Sequence, residues 1–256
     1  MNVSLNYTKF GDSSRSLIIL HGLFGSSKNW MTFAKNISEE ITVYALDLRN
    51  HGDSPHTESH TLNDLREDLK FFIEEHNIQN PVILGHSMGG LAVMALALKY
   101  PETVKSIIIE DIAPKKYISS HENEFRALGI DVSNFSSRTE IDRAMSRYVE
   151  NQSIRQFLQM NLERKNDLFR WKLNVPVLEK SNFIEQFSEY ENLTYPGPSL
   201  FVAGGLSHYV KKNDHQEILK FFPGAEIRII PDGDHWLHYS SAEEFLNIVK
   251  NWIELS

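Results

Sequence analysis

The chain alternates short, almost wholly apolar runs with longer stretches whose apolar residues recur at helical spacing. Residues 17–20, 41–48, 82–84, 104–109, 199–203 and 227–230 are the short runs, rich in Val, Ile and Leu. Runs of this kind, without polar alternation, mark strands buried on both faces, as in a parallel sheet. Between them, residues 29–37, 62–76, 90–100, 211–222 and 242–253 read as helices. In the second of these, Leu62, Leu65, Leu69, Phe72 and Ile73 fall on one face. Residues 2–8 alternate polar and apolar, as an antiparallel edge strand would. The expected fold class is α/β, a mostly parallel sheet of roughly eight strands flanked by helices.

The alternation stops between residues 114 and 196. Helical patterns recur there near 122–128, 140–149, 154–162 and 183–190, with no strong strand. This stretch is expected to be a helical lid inserted into a core formed by residues 1–113 and 197–256. No internal repeat or low-complexity segment interrupts the pattern.

Composition narrows the function classes. With 256 residues and 41% hydrophobic content, the chain can bury the core of one large domain. Its formal charge of -8 disfavours capture of nucleic acid or an anionic membrane, which needs a basic face. Arg138, Arg143, Arg147, Arg155, Arg164, Lys165, Arg170 and Lys172 cluster in sequence and read as solvated helix faces. No long apolar run is free of charges, so no membrane-spanning helix is expected. The start lacks the basic and apolar segments of a signal peptide. The absence of cysteine removes disulfides, thiolate metal sites and a cysteine nucleophile. These features together fit a cytoplasmic location. Oligomeric state is left open.

The chemistry centres on Gly85-His86-Ser87-Met88-Gly89, a G-x-S-x-G run between an expected strand and an expected helix. In that context Ser87 sits on a strained turn with its hydroxyl pointing out above the sheet. Residues two before and two after must lack side chains, and both are glycine. The backbone N–H of Met88, at the helix start, can then point at a developing oxyanion. A second donor is expected from His21-Gly22-Leu23-Phe24-Gly25, with Leu23 favoured and Phe24 the alternative. His21 is expected to order this loop. A serine at the elbow implies an acyl-enzyme, where an aspartate would imply epoxide or haloalkane hydrolysis.

A base must be chosen among eleven histidines. His235 follows the last expected strand and precedes the final helix, where this fold delivers its base. His238 is the weaker candidate. His51, His56 and His60 lie in a polar loop and are expected at the surface. No pair has zinc-ligand spacing, so neither metal nor organic cofactor is expected. The acid is in an unusual place. After residues 199–203, where an aspartate is usual, stand Gly204, Gly205, Leu206, Ser207 and His208. Asp111, at the end of the earlier strand, can instead reach the base's Nδ1–H. Glu110 should point to the opposite side of that strand. Asp214 is expected to begin a helix or face solvent. Phe24, His208 and Trp236 are candidates to line the substrate pocket. Phe125, Leu128, Met145, Tyr148, Phe157, Leu158 and Met160 are candidate lid linings.

These segments carry a family resemblance. The chain resembles the α/β-hydrolase superfamily over essentially its full length, and within it the YbfF-type esterases and their mitochondrial relatives. The matching runs are His21-Gly22-Leu23-Phe24-Gly25-Ser26 with Trp30, residues 47–54, the elbow with Gly90, Asp111-Ile112-Ala113-Pro114, residues 174–178, and Gly204-Gly205-Leu206-Ser207 with Tyr209-Val210. The resemblance implies an acid at Asp111, and hydrolysis of short to medium carboxylic esters and acyl thioesters. Two rivals stay open: a C–C bond hydrolase of the same fold, and a weakly active ligand-binding protein that retains the triad.

Overall fold

Five central strands are buried because their side chains alternate between two apolar layers. The computed structural model describes residues 2–118 and 121–255. In chain order its elements begin with β1 (Tyr7–Phe10), β2 (Ser16–Leu20), α1 (Met31–Ile37), β3 (Thr42–Leu46), α2 (Leu62–Glu75), β4 (Val82–His86), α3 (Met88–Lys99) and β5 (Ser106–Glu110). The segment after β5 carries α4 (Glu122–Leu128), α5 (Arg138–Met145), α6 (Gln152–Gln159), β6 (Leu162–Lys165), β7 (Leu168–Trp171) and α7 (Val175–Lys180). The chain closes with β8 (Ser199–Gly204), α8 (Asp214–Phe221), β9 (Ala225–Ile230), α9 (Leu237–Ser240) and α10 (Ala242–Leu255).

Among the described residues the main sheet has seven strands, not eight, in the order β1-β3-β2-β4-β5-β8-β9. Only β1 runs antiparallel, against β3. The edge strand therefore begins at Tyr7, later than the alternation from residue 2 suggested. On β2, Leu17 and Ile19 pack with Phe33, Phe245 and Val249 of α1 and α10. Ile18 and Leu20 face the other way, onto Leu65, Leu69 and Phe72 of α2 and residues of α3. Period-2 alternation on a sheet buried on both faces explains why the strands read as continuous apolar runs. Among the described residues no helix is long and apolar enough to cross a membrane.

The segment between β5 and β8 has its own apolar cluster, including Phe125, Leu128, Ile141, Met145, Leu158 and Phe169. The 3₁₀ helix Phe183–Tyr190 instead packs on the α2/α3 layer, through Phe183, Phe187 and Tyr190. Two features escaped the sequence. The β6–β7 hairpin pairs Leu162 with Trp171 across a two-residue turn. Asn166 and Asp167 form that turn with φ of 51° and 63°. Two left-handed residues suit the twist of a hairpin, and Asn and Asp tolerate them better than most. The short helix α7 starts on Asn174, whose Nδ2 donates to Thr57 O at 2.9 Å.

The basic cluster is not simply solvated. Arg155 is buried and donates to both carboxylate oxygens of Asp142 and to the carbonyls of Val149 and Glu150. Arg138 donates to the carbonyls of Gln159 and Leu162. Lys172 pairs with Asp53. These cations clamp the inserted segment.

Candidate active site

The C-terminal ends of β2, β4, β5 and β8 bring the expected residues together. Ser87 joins β4 to α3 with φ 50° and ψ -115°, a strained conformation for a residue with a side chain. Its N–H is held by Glu110 O at 3.1 Å. It is only half-buried, whereas its neighbours on both sides are buried. A Cβ on Gly85 would fall 2.5 Å from Gly89 O, and one on Gly89 would fall 2.7 Å from His21 O. The elbow therefore requires glycine on both sides, as the sequence implied.

The loop after β2 turns tightly, with Gly25 N–H donating to Gly22 O at 3.0 Å. A Cβ on Gly22 would fall 2.6 Å from His86 Nδ1 and 3.2 Å from Ser87 Cβ. Leu23 and Met88, the two expected donors, both border a cavity that Ser87 also lines. Phe24 has φ 63°, and its carbonyl accepts from Asn161 Nδ2 at 2.7 Å. Its ring packs edge-on to Phe125 in the inserted segment. Phe24 thus anchors that segment as well as lining the cavity. His21 orders the loop as expected: its Nδ1–H donates to Gly22 O and its Nε2 accepts from Leu48 N–H.

Asp111 is fully buried, with φ 50°. Its Oδ1 accepts from Gly204 N–H at 3.0 Å. Its Oδ2 accepts from Ser207 Oγ and, at 2.7 Å, from His235 Nδ1. Ser207, just past the end of β8, thus donates to Asp111. The glycines beside it have a reason: a Cβ on Gly204 would meet Asp234 O at 2.4 Å, and on Gly205 Pro231 O at 2.3 Å. Only bare backbone lets the His235 loop approach β8. Asp214 lies elsewhere, pairing with Lys115 at 2.6 Å at the start of α8.

The His235 loop is held from three further directions. The ring of Tyr209 stacks on His235 at 3.9 Å. His86 Nε2–H donates to His235 O at 2.9 Å. Burial, then the nearby His235 and His238, push the His86 pKa well down, so it is a neutral donor. His238 proves to be engaged on the far side of the strand end. Its Nδ1–H and backbone N–H donate to Glu110 at 2.8 and 2.9 Å, and its ring stacks on Trp30. Glu110, the last residue of β5, and Asp111, just after it, therefore each grip one histidine. The sequence predicted the opposite facing of Glu110 but not its partner; a carboxylate buried beside a late histidine was the available signal. His86, Glu110 and His238 also bring ligand-type atoms within 4.8 Å of one another. Glu110 and one ring nitrogen of each histidine are engaged in the hydrogen bonds just described.

The expectation that His51, His56 and His60 lie at the surface fails for two of them. His51 and His60 are buried, and His56 alone is exposed. His51 Nδ1–H donates to Arg49 O at 2.9 Å. The surrounding loop wraps the Asp47 carboxylate, which accepts from Ser27 and Asp53 N–H. Arg49 reaches the buried Asp68. The polar residues of this loop face inward onto one another, which composition could not reveal.

Two cavities meet at Ser87. One, of about 360 Å³, is lined by Phe24, Ile154, Phe157, Leu158, His235 and Trp236 among others. The second, of about 330 Å³, is lined by Met88, Leu91, Ile112, Tyr117, Phe183 and Ile184 among others. His208 lines both, and Trp236 lines the first. Of the candidate lid linings only Phe157 and Leu158 border these cavities. Phe125, Leu128 and Met145 are buried in the segment's own core, while Tyr148 and Met160 are exposed.

A serine on a strained elbow, an imidazole tied to a buried carboxylate and a backbone N–H at a helix start thus lie together at the C-terminal ends of the strands. The fold and this site define an α/β-hydrolase. The family model described as alpha/beta hydrolase fold matches residues 15–242, and the chain belongs to that family. It is a hydrolase. It is 26% identical to Esterase YbfF of Escherichia coli, over 99% of this chain and 98% of that one. It is 35% identical to the sn-1-specific diacylglycerol lipase ABHD11 of Danio rerio, over 98% of this chain and 83% of the relative. A solved marine microorganism esterase superposes with a TM-score of 0.93 at 38% identity, covering 98% of this chain and 100% of that one.

Proposed function

We propose that this hydrolase cleaves carboxylic esters through an acyl-enzyme on Ser87, with His235 as general base and Asp111 as its acid partner. The observation that carries the reading is the 2.7 Å contact between a fully buried Asp111 and Nδ1 of His235, which lines a cavity together with Ser87. Asp111 fixes the Nδ1–H tautomer, which leaves Nε2 free to accept the Ser87 proton. Ser87 Oγ attacks the acyl carbon while the N–H groups of Met88 and Leu23 hold the oxyanion. Collapse breaks the bond to the leaving oxygen, and His235 returns its proton to the alcohol. Water then adds to the acyl-enzyme with His235 again taking a proton, and the carboxylic acid leaves. Thioesters of short to medium acyl chains fit the same sequence, with a thiolate leaving. Residues 114–196 act as the lid that walls both cavities.

The test is Ser87→Ala with p-nitrophenyl butyrate and a butyryl thioester. Hydrolysis of both by the parent, and of neither by the folded variant, supports the reading. Turnover of a dienoic diketone in preference to esters would replace it with C–C bond hydrolysis. Undiminished ester hydrolysis by Ser87→Ala would refute it.

A further inference from the structure

Among the described residues three aromatic rings meet the His235 imidazole, and one of them lies parallel to it. Tyr209 stacks face to face, with centroids 3.9 Å apart and planes 16° apart. His86 and Trp236 meet the same ring at 50° and 69°. Tyr209 is held there at both ends of its own backbone. Its N–H donates to Ser207 Oγ at 3.2 Å, and Ser207 in turn donates to Asp111. Its carbonyl accepts from the Tyr117 hydroxyl at 2.9 Å, and that hydroxyl accepts from Ala113 N–H at 2.9 Å. Asp111 and Ala113 belong to the same short segment after β5. That segment therefore fixes the carboxylate that meets Nδ1 and, through Ser207 and Tyr117, the ring that covers the imidazole face.

We propose that Tyr209 is a positioning residue that stabilises the imidazolium form of His235, the form created at each proton transfer; this rests on the catalytic reading above. A neutral imidazole gains a packing contact and a fixed plane from the stack. A cationic one gains more, because the face of an aromatic ring is negative and attracts a cation within about 6 Å of its centroid. That added attraction grows only as Ser87 gives up its proton, so it favours the transition state over bound substrate. Burial, with Asp111 and Glu124 nearby, pushes the Tyr209 pKa up and keeps the phenol neutral. His86 is neutral too, so the positive charge forms on His235 and not on the ring behind it.

Other titratable groups share the field at His235. Asp111 meets Nδ1, Asp234 precedes it in the chain, and Glu124, His121 and His208 line the same cavity. Glu110 and His238 form a pair on the far side of the strand end. Burial lowers the His121 pKa, so near neutral pH that ring brings no cation to the site. Two substitutions at one position leave all of these groups in place. Tyr209→Leu keeps an apolar cover over the imidazole but has no π-face. Tyr209→Phe keeps the face and loses only the hydroxyl.

The experiment follows kcat and kcat/KM for p-nitrophenyl butyrate on the full chain, across the pH range in which histidine titrates. Tyr209→Leu should lower kcat about tenfold with KM within about twofold, the size expected of a cation–π contact. Its ascending limb of kcat/KM should also move to lower pH by about half to one unit, because the uncovered imidazolium gives up its proton more readily. Tyr209→Phe should bring the limb back to its parent position and kcat to within about threefold of the parent. If Tyr209→Leu melts early, Tyr209→Phe with increasing ring fluorination weakens the negative face at nearly constant shape. In that series kcat should fall and the limb should move together. A lowered kcat with an unmoved limb in every variant reduces Tyr209 to packing and overturns the proposal. So does a Phe variant as impaired as the Leu variant, or parent kinetics in Tyr209→Leu. Undiminished hydrolysis by Ser87→Ala would instead sink the catalytic reading, whatever the Tyr209 variants do.

Discussion

Replacing Asp111 by Asn removes one charge from a site where every oxygen is committed. The carboxylate accepts from Gly204 N–H, Ser207 Oγ and His235 Nδ1. An amide in the same place can take two orientations. With its NH₂ toward Gly204, two donors face each other and a buried backbone N–H goes unpaired, at a cost of about 1–3 kcal/mol. With its NH₂ toward His235, the serine hydroxyl can rotate to accept, and the imidazole must accept at Nδ1 as well. That second orientation moves the histidine proton to Nε2, the nitrogen needed to receive the Ser87 proton. The fold should survive, because Asn tolerates the φ of 50° at this position about as well as Asp. The expected loss in kcat is about 10⁴, by analogy with the same exchange in a serine protease, or about 5.4 kcal/mol of transition-state stabilisation. Thermal melting and the steady-state kinetics of p-nitrophenyl butyrate read the two effects separately. Activity within tenfold of the parent, in a variant that melts normally, would show that Asp111 does not set the tautomer.

The neighbouring residue gives a graded contrast: Glu110→Gln should lower kcat about tenfold with little change in KM, because His238 loses its charged partner while the His235–Asp111 contact stays. An unaltered kcat would mean that the His238 grip has no bearing on the base. Gly89→Ala should abolish activity and cost about 1–3 kcal/mol, since the new Cβ meets the backbone of Leu20 and His21; wild-type kinetics would contradict the close approach. Stability should fall with acidification. Burial holds the pKa values of His21, His51, His60 and His86 below the ordinary histidine value. Each is neutral when folded and gains a proton on unfolding below about pH 6.5, so its contribution is full above that pH. Below it, stability falls with pH, because unfolding then takes up a proton on each histidine that the folded state keeps neutral. For His60 the loss continues down to its folded value of about 3. Denaturant titrations at pH 7 and pH 5 should show this decline, and His60→Leu should shrink it by one proton; equal stability at both pH values would refute the buried-neutral account.

The parallel sheet was legible because strands buried on both faces leave continuous apolar runs, and the elbow because two glycines two residues from a serine have a steric cause. The contact of Asp111 with His235 could be anticipated because the segment after β8 offers only Ser207, which cannot balance an imidazolium. What stayed hidden depends on contacts between distant segments. Nothing local to His51 or His60 signals that the loop folds around Asp47 and Asp68. The β6–β7 hairpin hid in a charged stretch, with only Asn166-Asp167 to mark its turn. The division of the pocket likewise arises from residues far apart in the chain, such as Leu91 and Ile184 against Ile154 and Trp236.

The central claim is that an acyl group is carried on Ser87. The direct measurement is intact-protein and peptide mass spectrometry after rapid acid quenching during turnover of p-nitrophenyl butyrate. The account predicts a mass gain of one butyryl group, on the peptide containing Ser87, in Asp111→Asn or the parent, and none in Ser87→Ala. An adduct on another residue, or undiminished acylation of Ser87→Ala, would contradict it.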